Sequence, residues 1–290
     1  RPGPWREGRP LVLVTGGVHG YETSGVQGAL RFLEQHAAEW GGRVNLLVAP
    51  CVSPWAYERI HRWNFDAVDP NRAFRTPSPA PESAALMRLV APWRGRFTAH
   101  IDLHETTDTD ESAFRPALAA RDAWNPAAPL ILDAGCGVGW STQRIAALYP
   151  DHFVFGVDQS LDRISRGKPL PMPENAVLIR ADLVDFWRLL AENGIKLARH
   201  YNLYPNPWPK IGHLARRWHG HAVFPVWREL GGEVECRSNW RIYIEEMALA
   251  LSVLSGRPVA AEPYATDDPM TPFEKKYLAS GHALWRCRVN

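Results

Sequence analysis

Apolar residues in this chain fall into short dense blocks, separated by stretches in which they return every third or fourth position. The blocks at residues 11–14, 44–48, 97–103, 130–132, 153–157, 176–179, 196–203, 233–237 and 282–289 predict β-strands. Helical spacing runs over 24–39, 84–90, 140–148, the segment ending near 190, 222–230 and 240–254. Strands that alternate with helices predict an α/β class, and in the second half a doubly wound parallel sheet.

Leu130 to Ser160 is the segment on which the second half turns. Its first strand ends in Asp133, glycines follow at Gly135, Gly137 and Gly139, a helix comes next, and the second strand ends in Asp158. Glycine lets the chain turn sharply off a strand and lets a ligand lie against main-chain N–H groups at a helix start. An acid closing the second strand suits a ribose diol. Asp182 closes the third strand in the same manner. The D-x-G-x-G-x-G order looks like the S-adenosylmethionine loop of class I methyltransferases, with a Rossmann-like sheet. The resemblance implies cofactor binding by Asp133, Gly135, Gly137, Gly139, Asp158 and Asp182.

Composition narrows the class without naming a partner. The 290 residues are 46% hydrophobic and 22% charged with a net charge of +2, suiting one large domain or two small ones. The four cysteines form no CxxC pair, which argues against a disulfide framework or a cysteine–zinc site and favours a reducing, cytoplasmic setting with no disulfide partner. No apolar run approaches the roughly 20 residues of a membrane helix, and no basic-then-apolar leader is present.

His19 and Glu22 follow the first strand, and His104 follows the third. Zinc takes such ligands and keeps a fourth position for water; read singly, His19 is a loop histidine and Glu22 an acid favoured at a helix N-terminus. The set GGVHGYE, DPNRAF and DLHETTDTDE resembles the zinc carboxypeptidase superfamily, in its succinylglutamate desuccinylase/aspartoacylase-like branch, over about residues 10–120. The resemblance implies a partial α/β carboxypeptidase-like domain with His19, Glu22 and His104 as zinc ligands. It also implies Asn71 and Arg72 as holders of a substrate carboxylate. The family's water-activating glutamate lies beyond the point where the resemblance stops, and neither Glu105 nor Glu111 matches it. Without a positioned base a zinc-bound water loses ~10²–10⁴-fold in catalysis, so this half is expected to bind zinc and hydrolyse little. Its sheet is expected to end on an unpaired strand.

An Ala/Pro-rich stretch at 119–129 reads as a linker, placing the domains at 1–126 and 127–290. A gene fusion, a deletion or an assembly error would each produce such a join. Past it, YPNPWPK, HLARRWHGH, RSNWRIYIEE and TPFEKKYLASGHALWR resemble the tRNA (guanine-N7-)-methyltransferase family over essentially all of 127–290. By that resemblance Lys210 and the segment from Thr271 to Glu274 belong to the substrate pocket. Asn206 stands where the family has its catalytic aspartate, Asn239 where it has a second one, and Tyr243 keeps its place. An amide replaces acceptors by donors, so the acceptor base is opened to question. Between Glu192 and Glu229 no acid occurs, while Lys196, Arg199, Lys210, Arg216, Arg217 and Arg228 interleave with Tyr201, Tyr204, Trp208 and Trp218. Such a stretch suits phosphates and splayed bases, tRNA or another RNA; its bland alternative is a solvated basic face over buried tryptophans. Two other functions compete with methyl transfer: a zinc hydrolase, and a non-catalytic protein that binds RNA and cofactor.

Overall fold

The computed structural model describes residues 5–104, 109–166 and 171–290. The chain divides into two compact units, 1–106 and 107–290. In the first, β1 (Leu11–Gly16), β2 (Asn45–Ala49) and β3 (Phe97–Leu103) form a parallel sheet in the order β2-β1-β3. Central β1 is buried along almost its whole length. The helix Thr23–Gln35 crosses the carboxyl ends of the strands so closely that a Cβ on Gly25 would meet the Leu103 carbonyl oxygen at 2.2 Å. Among the described residues nothing pairs with the outer side of β3, and its residues 98–102 are exposed. The expected open edge is therefore present.

The second unit carries seven strands: β4 (Leu130–Ala134), β5 (Phe153–Asp158), β6 (Ala176–Arg180), β7 (Leu197–Leu203), β8 (Glu233–Ser238), β9 (Glu262–Tyr264) and β10 (Leu284–Val289). They lie in the order β6-β5-β4-β7-β8-β10-β9. The five from β4 to β8 are parallel, whereas β10 runs antiparallel to both β8 and β9. The all-parallel expectation is corrected at this edge, because the helix Pro272–Ala279 returns the chain to the same end of the sheet from which β10 must start. β4 and β7 are neighbours although distant in sequence, which makes the gap above their carboxyl ends the switch point of the sheet.

The join lies earlier than the linker composition suggests. Residues 115–124 form a helix, with Pro116 in the first turn where its missing N–H costs nothing. Alanine is the strongest helix former, so an Ala-rich stretch read as linker is here a helix. Just ahead of it Phe114, with no exposed surface, meets Phe186 edge-on at 5.7 Å, and Phe186 meets Phe155 of β5 at 5.9 Å. Ala113, Phe114 and Ala117 are thus part of the second unit's core. Among the described residues no helix is long and apolar enough to cross a membrane, and all four cysteines are free. Phe114→Ala should destabilise the second unit by about 3–5 kcal/mol in urea unfolding, the range for a fully buried phenylalanine. A loss below about 1 kcal/mol would remove this segment from the core.

Candidate active site at the carboxyl ends of the central strands

Where β4 ends, three glycines take left-handed backbone at φ 79°, 57° and 82° (Gly135, Gly137, Gly139). A side chain is strained there whatever the space around it. The turn is fastened from both sides. Gly137 N–H donates to Asp158 Oδ2 at 3.0 Å, and the other oxygen of Asp158 accepts from Ser160 N–H at 2.8 Å. Below the turn, Asp133 Oδ2 accepts from Ser141 Oγ at 2.6 Å and Thr142 Oγ1 at 2.7 Å. Gly156 of β5 allows this, since a Cβ there would sit 2.2 Å from Thr142 Oγ1.

Asp133 is thereby reassigned from cofactor contact to support. Its carboxylate is buried and turned to the helix Trp140–Leu148 rather than to the loop's open face. Burial pushes its pKa up to about 6; the two hydroxyls oppose the shift and the charge of Asp158 adds to it. Asp182 is exposed, caps the helix Leu183–Glu192 through Val184 N–H at 2.8 Å, and lines a cavity of about 530 Å³ with Gln159, Ile179, Arg180 and Ser112. That cavity lies between β6 with its following residues and the segment 112–117.

Across the switch point, the chain leaving β7 is bent at two non-glycine residues, Tyr204 at φ 53° and Trp208 at φ 44°. Each such residue costs roughly 1–3 kcal/mol and persists only where its surroundings enforce it. Between them lies Asn206, exposed, with Oδ1 accepting from Trp208 N–H at 3.3 Å. Its amide nitrogen is therefore the group left to face outward. Asn239 follows β8, with its amide 3.4 Å from His282 Nδ1. Leu203 pairs with Arg237, so both asparagines leave the same end of adjacent strands, two or three residues past the last pair.

Three residues expected to touch substrate are bonded to the chain itself, Glu274 and Arg217 to this turn and Thr271 to the start of the helix that carries Glu274. Glu274 has no exposed surface. Its Oε1 accepts from Tyr204 Oη at 2.9 Å and Arg237 Nη1 at 3.2 Å, and its Oε2 accepts from Met270 N–H at 2.5 Å. Thr271 caps the following helix, its Oγ1 accepting from Glu274 N–H at 3.0 Å. Arg217 donates twice to the Trp208 carbonyl and pairs with Glu246. Arg216 and Lys210 are exposed, with the Arg216 guanidinium 4.9 Å over the Trp208 ring.

The basic stretch is thinner than its composition. Lys196 donates to the Glu229 carbonyl and Arg199 pairs with Glu233 at 2.7 Å. Tyr201 is buried, its hydroxyl 3.0 Å from that of Tyr149, and Trp218 packs edge-on against Trp187 at 4.8 Å. His200 is packed among Trp187 and Trp227, and burial pushes its pKa down to about 3. Lys196, Lys210, Arg216 and Arg228 are exposed.

In the first unit, His19, Glu22 and His104 offer donor atoms that all lie within 4.8 Å of one another. His19 Nε2 is 2.8 Å from Asp69 Oδ1, which turns Nδ1 toward Glu22 Oε1 at 2.7 Å. Arg62 holds the other Asp69 oxygen at 3.1 Å and Arg72 lies 3.7 Å from it. The Asp69 carboxyl is drawn down to about 2 against its burial by His19, Arg62 and the Asn71 N–H. A histidine held by a carboxylate, with its other nitrogen facing a glutamate and a second histidine, fits a zinc ion. Asn71, exposed, sits beside this set through its backbone bond to Asp69 at 2.8 Å. Glu105 and the side chain of Glu111 lie outside the described residues.

A family model described as "Putative methyltransferase" matches residues 127–287. The tRNA (guanine-N(7)-)-methyltransferase of Paracidovorax citrulli (strain AAC00-1) is 34% identical over 185 residues, 58% of this chain and 71% of its own length. That of Acidovorax sp. (strain JS42) is 31% identical over 192 residues, 59% of this chain and 72% of its own. A solved structure from Shewanella baltica OS155, named "Putative metallopeptidase", is 31% identical over 31% of this chain and 36% of its own, with a TM-score of 0.28.

The raised Asp133 carboxyl predicts a sign for pH dependence. An unfolded aspartate titrates near 3.9, so between about pH 4 and 6 the native state holds a proton that the unfolded chain has lost. Stability from this group is then full below pH 4 and falls as pH rises through 6. The stability of the wild type relative to Asp133→Asn should drop by on the order of 2–3 kcal/mol between pH 4 and 7 in urea titrations. A rise would contradict the buried geometry.

Proposed function

We propose that this chain, which belongs to the tRNA (guanine-N(7)-)-methyltransferase family, methylates N7 of a guanine in tRNA with S-adenosylmethionine as donor. The second unit has the class I methyltransferase fold. The observation that carries the reading is the meeting of the glycine turn and the Asn206 turn at one switch point, within the residues the family spans. The residues fit the donor. Glycine N–H groups and the outer lone pairs of Asp158 suit its amino-acid and ribose parts, and the cavity beside Asp182 suits its adenine. When bound, S-adenosylmethionine supplies an electrophilic methyl group on sulfur.

Guanine N7 is already nucleophilic, so the chain's task is alignment rather than proton removal. Asn206 and Lys210 stand where they meet the base, Arg216 on Trp208 offers a cationic face for stacking or phosphate, and Asn239 borders the same end of β8. An amide at 206 turns a donor toward the acceptor-rich O6/N7 edge, where a carboxylate would bind the N1–H and N2–H edge and balance the charge of the methylated purine.

A second reading concerns the first unit, and the ligand geometry favours it. We infer that it holds a zinc ion on His19, Glu22 and His104, with Asn71 and Arg72 placed for a carboxylate, and that it hydrolyses little because no base matches.

Labelled methyl transfer to bulk tRNA, followed by nucleoside analysis, should yield 7-methylguanosine. Asn206→Asp should raise that rate by about tenfold, the worth of roughly 1.4 kcal/mol from one charge-assisted bond. Cofactor binding with no 7-methylguanosine would instead support a non-catalytic role or another base. Elemental analysis should find about one zinc per chain and its loss in His104→Ala. Vigorous hydrolysis of N-acyl amino acids would overturn the idle reading of the first unit.

A further inference from the structure

We propose that Glu246 is a positioning residue for methyl transfer, acting through Arg217 on the turn that carries Asn206; the catalytic part of this rests on the reaction proposed above. Glu246 projects from the helix Arg241–Ser255, which packs on β8 and β10 and, through Tyr243 against His219, on the segment after Arg217. Its Oε2 pairs with Arg217 Nη1 and lies 3.0 Å from His219 Nε2. Arg217 then places Nε and Nη2, each at 3.2 Å, on the carbonyl of Trp208. The guanidinium thus bridges one carboxylate and one peptide oxygen, which suits its planar fork and which a lysine cannot reproduce.

The grip falls on a residue that needs it. Trp208 sits at φ 44°, a conformation an indole-bearing residue rarely adopts, and its N–H is the donor that fixes the Asn206 side chain. Releasing its carbonyl lets Trp208 relax toward ordinary backbone, and the Asn206 amide moves with it. The ring of Trp208 is flanked by Arg216 at 4.9 Å and by His213 edge-on at 5.5 Å, so the same release disperses the exposed cationic face. The other end of the turn hangs on Glu274 through Tyr204. Glu246 is only partly buried, at 34% side-chain exposure, and its partner Arg217 shows 11%, so the pair is a clamp near the surface rather than a core ion pair. Losing it should leave the fold intact.

The test compares Glu246→Gln and Arg217→Lys with wild type and with Glu245→Gln. Glu245 lies on the same helix and pairs only outward, with exposed Arg241. Amide hydrogen exchange should speed up across residues 204–217 in both clamp variants, stay unchanged at residues 133–142, and match wild type in Glu245→Gln. With tRNA and S-adenosylmethionine, kcat should fall about 10- to 100-fold, the usual cost of misplacing a reacting group by an ångström. KM for S-adenosylmethionine should not change. Unchanged exchange over 204–217 overturns the clamp whatever the activity. Faster exchange with an unchanged kcat overturns the positioning role. If the wild type transfers no methyl group while exchange responds as expected, the proposed reaction fails and the clamp stands.

Discussion

A carboxylate with no exposed surface, that of Glu274, holds the second unit's site together. It joins the loop after β7 through Tyr204, strand β8 through Arg237, the chain ahead of the last helix through Met270, and the start of that helix through its own N–H to Thr271. A buried carboxylate is costly unless its lone pairs are met and a cation is near. Here both oxygens are used and Arg237, itself paired with Glu235 at 2.6 Å, provides the charge. Three segments far apart in sequence, around 204, 237 and 270–274, are thus forced into one arrangement, and the strained Tyr204 backbone is part of what that arrangement sustains.

The two walls of the site are built by different physics. On the cofactor side, strain is absent because glycines occupy every left-handed position between 135 and 139, and one acid, Asp158, fastens the turn by accepting from Gly137. On the acceptor side, tyrosine and tryptophan occupy left-handed positions, and ion pairs hold them there. The glycine turn is therefore set by local sequence, while the turn that carries Asn206 depends on helices from the far end of the chain. Exchange of Asp for Asn at 206 and 239 changes what the acceptor wall offers and leaves this scaffold in place, since the Oδ1 that braces Trp208 is common to both side chains.

The first unit brings His19, Glu22 and His104 together, with Asp69 bonded to His19, on a sheet of three strands. His19 and Glu22 are fully buried, and Asp69 fixes the histidine, so these two side chains are held by contacts within the first unit. A site of this kind keeps affinity more readily than turnover, since ligands need only proximity while a base needs placement against a bound water.

Strands β1 to β8 and β10, the main helices and the cofactor turn could be read from the sequence, because period, glycine placement and strand-end acids are local signals. The clustering of His19, Glu22 and His104 was also legible, since each follows a strand of one parallel sheet, where strand ends converge. Whether a charged side chain meets solvent or another part of the chain is not local. Glu274, Thr271, Arg217 and Asp133 carry the right chemistry for contact, yet the fold turns each inward, onto Tyr204, the helix start, Trp208 and Ser141. The helix at 115–124 was hidden for the related reason that alanine and proline serve linkers and helix starts alike, and only packing of Phe114 on Phe186 distinguishes them. Sequence determined the class of chemistry through residues that must be where the backbone turns. Tertiary structure decided which of the remaining charges are tools and which are supports, because that choice depends on partners tens of residues away.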